Sequence, residues 1–368
     1  MLKQYKLKNY HFQLILSVLT LNIIGIMLIG SARHSVQKMQ IMGCILGFIA
    51  MIVISLMDYS FILKFCWVYY IGIIGLLGLV LVKGHNSHGS QRWIDFGSFR
   101  FQPSELAKIV LILFFAWFFA KYAEKINTIQ IIGISMILVG IPLLLIFKQP
   151  DTSTSIAIAL IFISLLFIAG LSYKIILTVL GISVPIGIVG FTYVIRIAET
   201  ATDFHFGRIM AWLYPTDPKW AQTAAQQQNS IMAIGSGQLW GKGLNNSVAT
   251  SMKNSNYIIE PQTDFIFSVA GEELGFVGTI TIIVLLLFIV IDCILIARKA
   301  KDLSGKLICC GMAALIGFQS IFNIFVATGL MPNTGIPLPF VSYGLTSLLT
   351  LYMGIGFVLN VGLQPKKY

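Results

Sequence analysis

Apolar residues run through this chain in long unbroken stretches, not in the short alternations of a half-buried strand or an amphipathic surface helix. Ten stretches are long enough to cross roughly 30 Å of hydrocarbon as helices: residues 12–30, 39–57, 60–82, 105–121, 129–147, 154–171, 174–195, 276–297, 307–329 and 340–361. Helices are required because lipid offers backbone groups no partners, and the runs lack the dyad alternation of a membrane barrel. The expected fold is an all-α integral membrane protein, one polytopic domain over residues 1–368 with about ten transmembrane helices. The first run is long enough to span and has no small-residue cleavage site before a polar mature domain, so it reads as a retained helix.

Polar sequence breaks the pattern in a few places. Residues 196–263, between the seventh and eighth runs, are rich in Gln, Asn, Ser and Gly and carry Pro215, Pro218 and Pro261. A loop of that length is usually functional or disordered. Residues 83–104 hold Gly-Ser and Asp-Phe-Gly turn signals around short apolar pairs, as in a small hairpin. Residues 264–275 mix three acids into an apolar setting and read as a re-entrant or interfacial segment. In 330–339, Pro332, Pro337 and Pro339 forbid helix, leaving irregular backbone that survives at membrane depth only against protein or a wet cavity.

Composition agrees: 57% hydrophobic and 11% charged, against roughly 25% charged in soluble domains. The net charge of +11 has a membrane explanation, and no nucleic-acid partner is expected. With the basic tail (Lys3, Lys6, Lys8) in the cytoplasm, the inner segments sum to +9 and the outer ones to +2. Arg298, Lys299, Lys301 and Lys306 then fall in an inner loop, as the positive-inside rule favours. Both termini are expected in the cytoplasm and the three loops outside. Arg92, Arg100, Lys108, Lys148 and Arg208 become the anomaly, read either as solvated loop charges or as contacts for an anionic ligand at the outer leaflet. The five cysteines lie within apolar runs, with no disulfide or metal spacing.

The candidate chemistry sits at the outer ends of the runs. Asp264 opens TDFIFSVAGEELGFVG just before an almost pure hydrocarbon stretch, and a carboxylate at a bilayer edge is costly enough to mark a site. Glu105 and Lys108 are three apart in QPSELAKI and share a helix face. They read as a functional pair, or as a dipole-favoured carboxylate beside a snorkelling lysine. Asp151 in KQPDTSTS is a helix cap or a functional acid. Gln319 and Asn323, four apart, suggest interhelical hydrogen bonds. The run AIGSGQLWGKG (233–243) offers backbone N–H groups to a phosphate, but without Walker spacing.

Taken together, GSQRWIDFGSFRFQPSELAKI, QPD, RIMAWLYPTDP, AIGSGQLWGKG, PQTDFIFSVAGEELGFVG and TGLMPNTGIPLPFVSYG closely resemble the SEDS family (shape, elongation, division and sporulation), whose members include RodA, FtsW and SpoVE. The resemblance runs end to end, and residues 89–109 look somewhat more like RodA. It implies a peptidoglycan glycosyltransferase in the bacterial cytoplasmic membrane that polymerises lipid II, an undecaprenyl-diphosphate-linked disaccharide, on the outer face into a glycan strand. A class B penicillin-binding protein is the implied crosslinking partner. The family's essential acid falls on Asp264, its polar-cavity pair on Glu105 and Lys108, and Asp151 and Arg208 match retained positions. The departures are Gln238, Leu345 and Ser153 where glycine is usual, and Asn229 where glutamine is.

The chemistry is compatible with these residues. A sugar hydroxyl attacking an anomeric carbon with a diphosphate leaving group needs one general base, worth ~10² to 10⁴ in rate, and Asp264 is the candidate. Lys108 and Arg208 are candidate cations for the diphosphate. A divalent ion, Mg or Mn, held by diphosphate and Asp151 or Glu105, is a possible helper without a dedicated cage. Two other readings remain, a lipid II flippase or transporter and a non-catalytic scaffold for a cell-wall synthase. A transporter should carry charge through the midplane, whereas the acids here crowd the outer end and Asp292 is the exception.

Overall fold

The computed structural model describes residues 10–87, 90–96, 99–178, 181, 185, 204–245 and 258–364. Its helices are α1 (Phe12–Ala32), α2 (His34–Leu56), α3 (Tyr59–Ile62), α4 (Cys66–Lys83), α5 (Pro103–Lys121), α6 (Ile129–Lys148), α7 (Thr152–Ile168), α8 (Phe204–Leu213), α9 (Ala221–Ser236), α10 (Ile266–Arg298), α11 (Leu303–Ala327) and α12 (Leu345–Leu363). Among the described residues eight helical spans are long and apolar enough to cross a bilayer, α3 and α4 forming one of them across a 3-10 turn at Leu63–Phe65. The chain is a multi-pass membrane protein. The α7 helix is apolar but only 17 residues long, and most of the run at 174–195 lies outside the described residues.

Helix choice decides what is central. The α5, α11 and α12 helices are the most enclosed, while α4 and α6 turn most of their surface outward. Small residues allow the close approaches on which membrane packing depends: a Cβ at Gly43 would meet Leu345, and one at Gly47 would meet the Tyr352 ring. The residues of 83–104 form a three-stranded antiparallel sheet, β1 (His85–Ser87), β2 (Ser90–Phe96) and β3 (Phe99–Phe101), with Ile94 opposite Phe101 and Asp95 opposite Arg100. Thr346 at the start of α12 ties the sheet to the bundle, donating to the Arg100 carbonyl (3.1 Å) and accepting from the Gln102 N–H (3.3 Å).

The segment 264–275 leads directly into the helix that follows, and the two meet at Gly275. The α10 element begins at Ile266 and covers 33 residues as two helical pieces joined at a kink at Gly275, where φ is 66° and ψ is −162°. That backbone region is essentially restricted to glycine. The kink strands N–H and C=O groups that must find partners, and residues 238–243 supply them. Phe276 and Val277 donate to the carbonyls of Gln238 (2.8 Å) and Leu239 (3.2 Å), while Lys242 and Gly243 donate to those of Glu272 (2.9 Å) and Glu273 (3.0 Å). The N–H groups of Lys242 and Gly243 that the sequence offered to a phosphate are therefore used to dock this loop on the kink. Gln238, standing where the resemblance has glycine, takes the left-handed φ of 51°.

A Cβ at Gly275 would fall 2.3 Å from the Gly241 nitrogen, a backbone contact that no side-chain motion relieves. Gly275→Ala is expected to destabilise the protein by about 1–3 kcal/mol from the backbone conformation alone, with the clash adding to it. A lowered thermal midpoint in detergent is the expected reading, and an unchanged midpoint would show that the loop yields freely.

Candidate functional site

The polar residues singled out in the sequence converge at the end of the bundle that carries the long loop. Pro103 starts α5, where its missing N–H costs nothing, and the first turn presents Glu105. Lys108, one turn on, lies 2.7 Å from the Glu105 carboxylate, and both side chains are buried. Asp151 caps α7, accepting from the Thr154 N–H (3.2 Å), from Ser104 (3.3 Å) and from Gln102 (3.4 Å). Arg92 reaches over from β2, 3.7 Å from the Asp151 carboxylate, and donates to the carbonyls of Gln149 (3.3 Å) and Pro150.

These groups surround a small polar cavity of about 40 Å³ lined by Arg92, Glu105, Lys108, Asp151, Gln319 and Gly335, among others. The proline-rich loop is irregular, as its prolines require, and is tied down by side chains. Asn323 donates to the carbonyls of both Asp264 and Ile336, each at 2.8 Å. Ser342 donates to the Thr263 carbonyl (2.7 Å) and accepts from the Leu338 N–H (2.8 Å), while the Tyr343 N–H reaches Gln262 (2.8 Å). Asn323 thus bonds backbone rather than a neighbouring helix's side chain. Ser153 donates to the Thr334 carbonyl and becomes another tether of the same loop.

Asp264 is half-buried on the segment just ahead of α10. Gly335, with φ of 73°, lines the cavity and also packs on the Asp264 carboxylate, since a Cβ there would lie 3.3 Å from Oδ2. One glycine therefore joins Asp264 to the cavity of Glu105, Lys108 and Asp151. Burial pushes the Asp264 carboxyl up to about 6, and Glu260 and Asp151 push the same way while Arg208 and Arg92 oppose it. Arg208, on α8, is drawn below its usual range by burial and held up by Asp264, and it donates to the Asn333 carbonyl (3.3 Å). An acid near neutrality beside a guanidinium is the environment of a general base or of an anion-handling site.

Other predicted groups sit elsewhere. Glu272 pairs with Lys242 at 2.8 Å and Glu273 accepts from Ser31, so both acids hold the kink and loop together. Arg100 pairs with Asp95 at 3.3 Å on the sheet, and Lys148 is exposed. Among the described residues no three His, Cys, Asp or Glu side chains gather as a metal site.

The family model of FtsW, RodA and SpoVE, described as cell cycle protein, matches residues 7–367. The chain belongs to the SEDS family. This SEDS protein is 33% identical over 377 residues to a probable peptidoglycan glycosyltransferase FtsW of Geobacter metallireducens, covering 98% of this chain and 96% of that one. It is 35% identical over 304 residues to the peptidoglycan glycosyltransferase MrdB of Escherichia coli, covering 82% and 79%. Among solved structures it superposes on one from a peptidoglycan synthase complex, concerned with coordination of polymerization and crosslinking, with a TM-score of 0.79 at 26% identity over 96% of this chain and 97% of that one. The rod shape determining protein RodA of Thermus thermophilus superposes with a TM-score of 0.69 at 26% identity, covering 96% of each chain.

Two residues of this SEDS site escape a reading by position in the sequence. Arg92 is visible there only as one more basic residue in a loop, because its approach to Asp151 depends on how the sheet packs on the bundle. Gln319 is visible as half of a polar pair, but its facing the cavity of Lys108 depends on the rotation of α11.

Proposed function

We propose that this SEDS protein is a peptidoglycan glycosyltransferase that polymerises lipid II at the outer face of the cytoplasmic membrane, with Asp264 as general base. The observation that carries the proposal is the Asp264 carboxyl pushed up to about 6, beside Arg208 and packed through Gly335 against the polar cavity. In the reaction a sugar hydroxyl of one lipid II attacks the anomeric carbon of the other saccharide. The new C–O bond forms as the bond to diphosphate breaks, the hydroxyl proton passes to Asp264, and the diphosphate departs with the bonding pair. Inversion of an α-linked donor gives a β-linked glycan, and one carboxylate suffices because diphosphate leaves without full protonation. Arg208 is the suited cation for that charge. Lys108 is already engaged by Glu105.

Mg or Mn is not well served by the chain's own donors, since Asp151 is occupied by Thr154, Ser104, Gln102 and Arg92 and Glu105 by Lys108. Such an ion would enter with the diphosphate, and no step here depends on it. A class B penicillin-binding protein is the proposed partner, supported by the likeness to a synthase complex that joins polymerization to crosslinking.

The test is incubation of purified protein and partner with labelled lipid II across pH, with glycan resolved on a gel. Asp264 acts only when ionised, so the initial rate should rise through about pH 6 and fall about tenfold per unit below it. For stability the sign is opposite. A carboxyl raised in the fold costs stability as it ionises, beginning at its ordinary 3.8 and continuing to about 6. Activity is thus gained across the window in which stability is lost. An acid limb near pH 4, or no product at any pH, would count against the proposal.

A further inference from the structure

The charged groups lining the polar cavity balance. Two cations, Arg92 and Lys108, face two anions, Asp151 and Glu105, and each is paired with a member of the opposite set. A diphosphate placed here would meet carboxylates on two sides, and an ammonium would be a third cation. The electrostatic match is an uncharged polar group. Size is compatible, because a cavity of about 40 Å³ has room for roughly three waters or a small polar group.

Gln319 supplies the contact. It projects from α11 into this cavity, is 1% exposed, and its carbonyl oxygen Oε1 is buried with no hydrogen-bond partner. Buried polar atoms are rarely left unpaired, because doing so forfeits solvation without replacement. A neutral amide oxygen accepts from an N–H or O–H.

We infer that the cavity of Glu105, Lys108, Asp151 and Arg92 is a neutral subsite for the pendant acetamido group of an amino sugar in the substrate, with Gln319 Oε1 accepting its N–H. The inference rests on the proposed glycosyltransferase reading and refines it. The diphosphate belongs at Arg208, and the Glu105–Lys108 pair is a charge-balanced wall rather than a phosphate clamp. Gln319 is then a specificity determinant, not a participant in proton transfer.

The test is binding, which does not depend on turnover. The full-length protein in detergent is titrated with two fluorescent lipid-diphosphate disaccharides, one bearing 2-acetamido groups and one bearing free 2-amino groups. The wild type should favour the acetamido probe, because the ammonium brings an uncompensated charge into a balanced site. Gln319→Leu should weaken the acetamido probe about tenfold, the order of one buried hydrogen bond with its orphaned partner. Gln319→Glu should move the preference toward the amino probe by tenfold or more, because it supplies the missing counter-charge. The Gln319→Glu arm also guards against a folding artefact, since a misfolded protein gains affinity for nothing. Unchanged acetamido binding in Gln319→Leu, as expected were the cavity to hold only water, or an unmoved preference in Gln319→Glu, would overturn the inference. Failure of the glycosyltransferase reading is distinguishable, because it would show as absent polymerisation by a wild type that still discriminates the probes.

Discussion

Asp264→Asn is expected to lower glycan polymerisation by ~10² or more while leaving expression, partner binding and lipid II affinity nearly unchanged. Asparagine keeps the size of the side chain and its packing on Gly335, and the backbone carbonyl that Asn323 holds at 2.8 Å is untouched. What it removes is the capacity to accept a proton. Alanine at Glu272 or Glu273 should act differently, because Glu272 is held by Lys242 and Glu273 by Ser31 around the kink. Those variants should lower the thermal midpoint and reduce activity only in proportion to lost folded protein. The comparison is of glycan ladders from proteins reconstituted with the same partner and normalised for folded fraction. Equal ladders from wild type and Asp264→Asn would remove Asp264 from the mechanism.

The membrane fold was legible because its cause is local. An apolar run of sufficient length has few alternatives in a bilayer, and the runs at 12–30, 129–147 and 307–329 correspond to α1, α6 and α11. The turn signals of 83–104 likewise gave a hairpin-like sheet, since turn chemistry is read from neighbouring residues. Where the outcome depended on distant partners, local reading failed. Gly275 does mark a break after the acidic segment, but the bonds by which residues 238–243 bridge that break come from a distant part of the chain. The acid cluster of Asp264, Glu272 and Glu273 is continuous in sequence but divides in space. Asp264 faces the proline-rich loop, and the two glutamates face the loop after α9. The site residues Glu105, Lys108 and Asp151 were accessible through helix spacing and cap position. Their shared cavity was not, because it is closed by Gly335, Gln319 and Arg92 from three other parts of the chain.

The Glu105–Lys108 pair gives the second large effect, and its sign depends on how the pair is broken. Both side chains are buried, with Nζ and Oε1 at 2.7 Å. Lys108→Ala leaves a carboxylate without its counter-ion in a poorly solvated cavity, and truncating one member of such a pair typically costs ~3 to 5 kcal/mol. The expected result is a sharply lowered thermal midpoint together with lost activity. Replacing both members, Glu105→Gln with Lys108→Met, removes the two charges at once and leaves neither orphaned, and exchanges of that kind are often neutral or stabilising. The double variant should therefore recover most of the midpoint lost in Lys108→Ala. Activity separates stability from function in the same proteins. If the pair is only a structural wall, the double variant recovers polymerisation along with the midpoint, whereas a subsite that needs these charges regains the fold and not the activity. Losses that simply add from the single variants Glu105→Gln and Lys108→Met to the double variant would mean that the contact carries no coupling energy, and would leave the cavity's charge balance without its central pair.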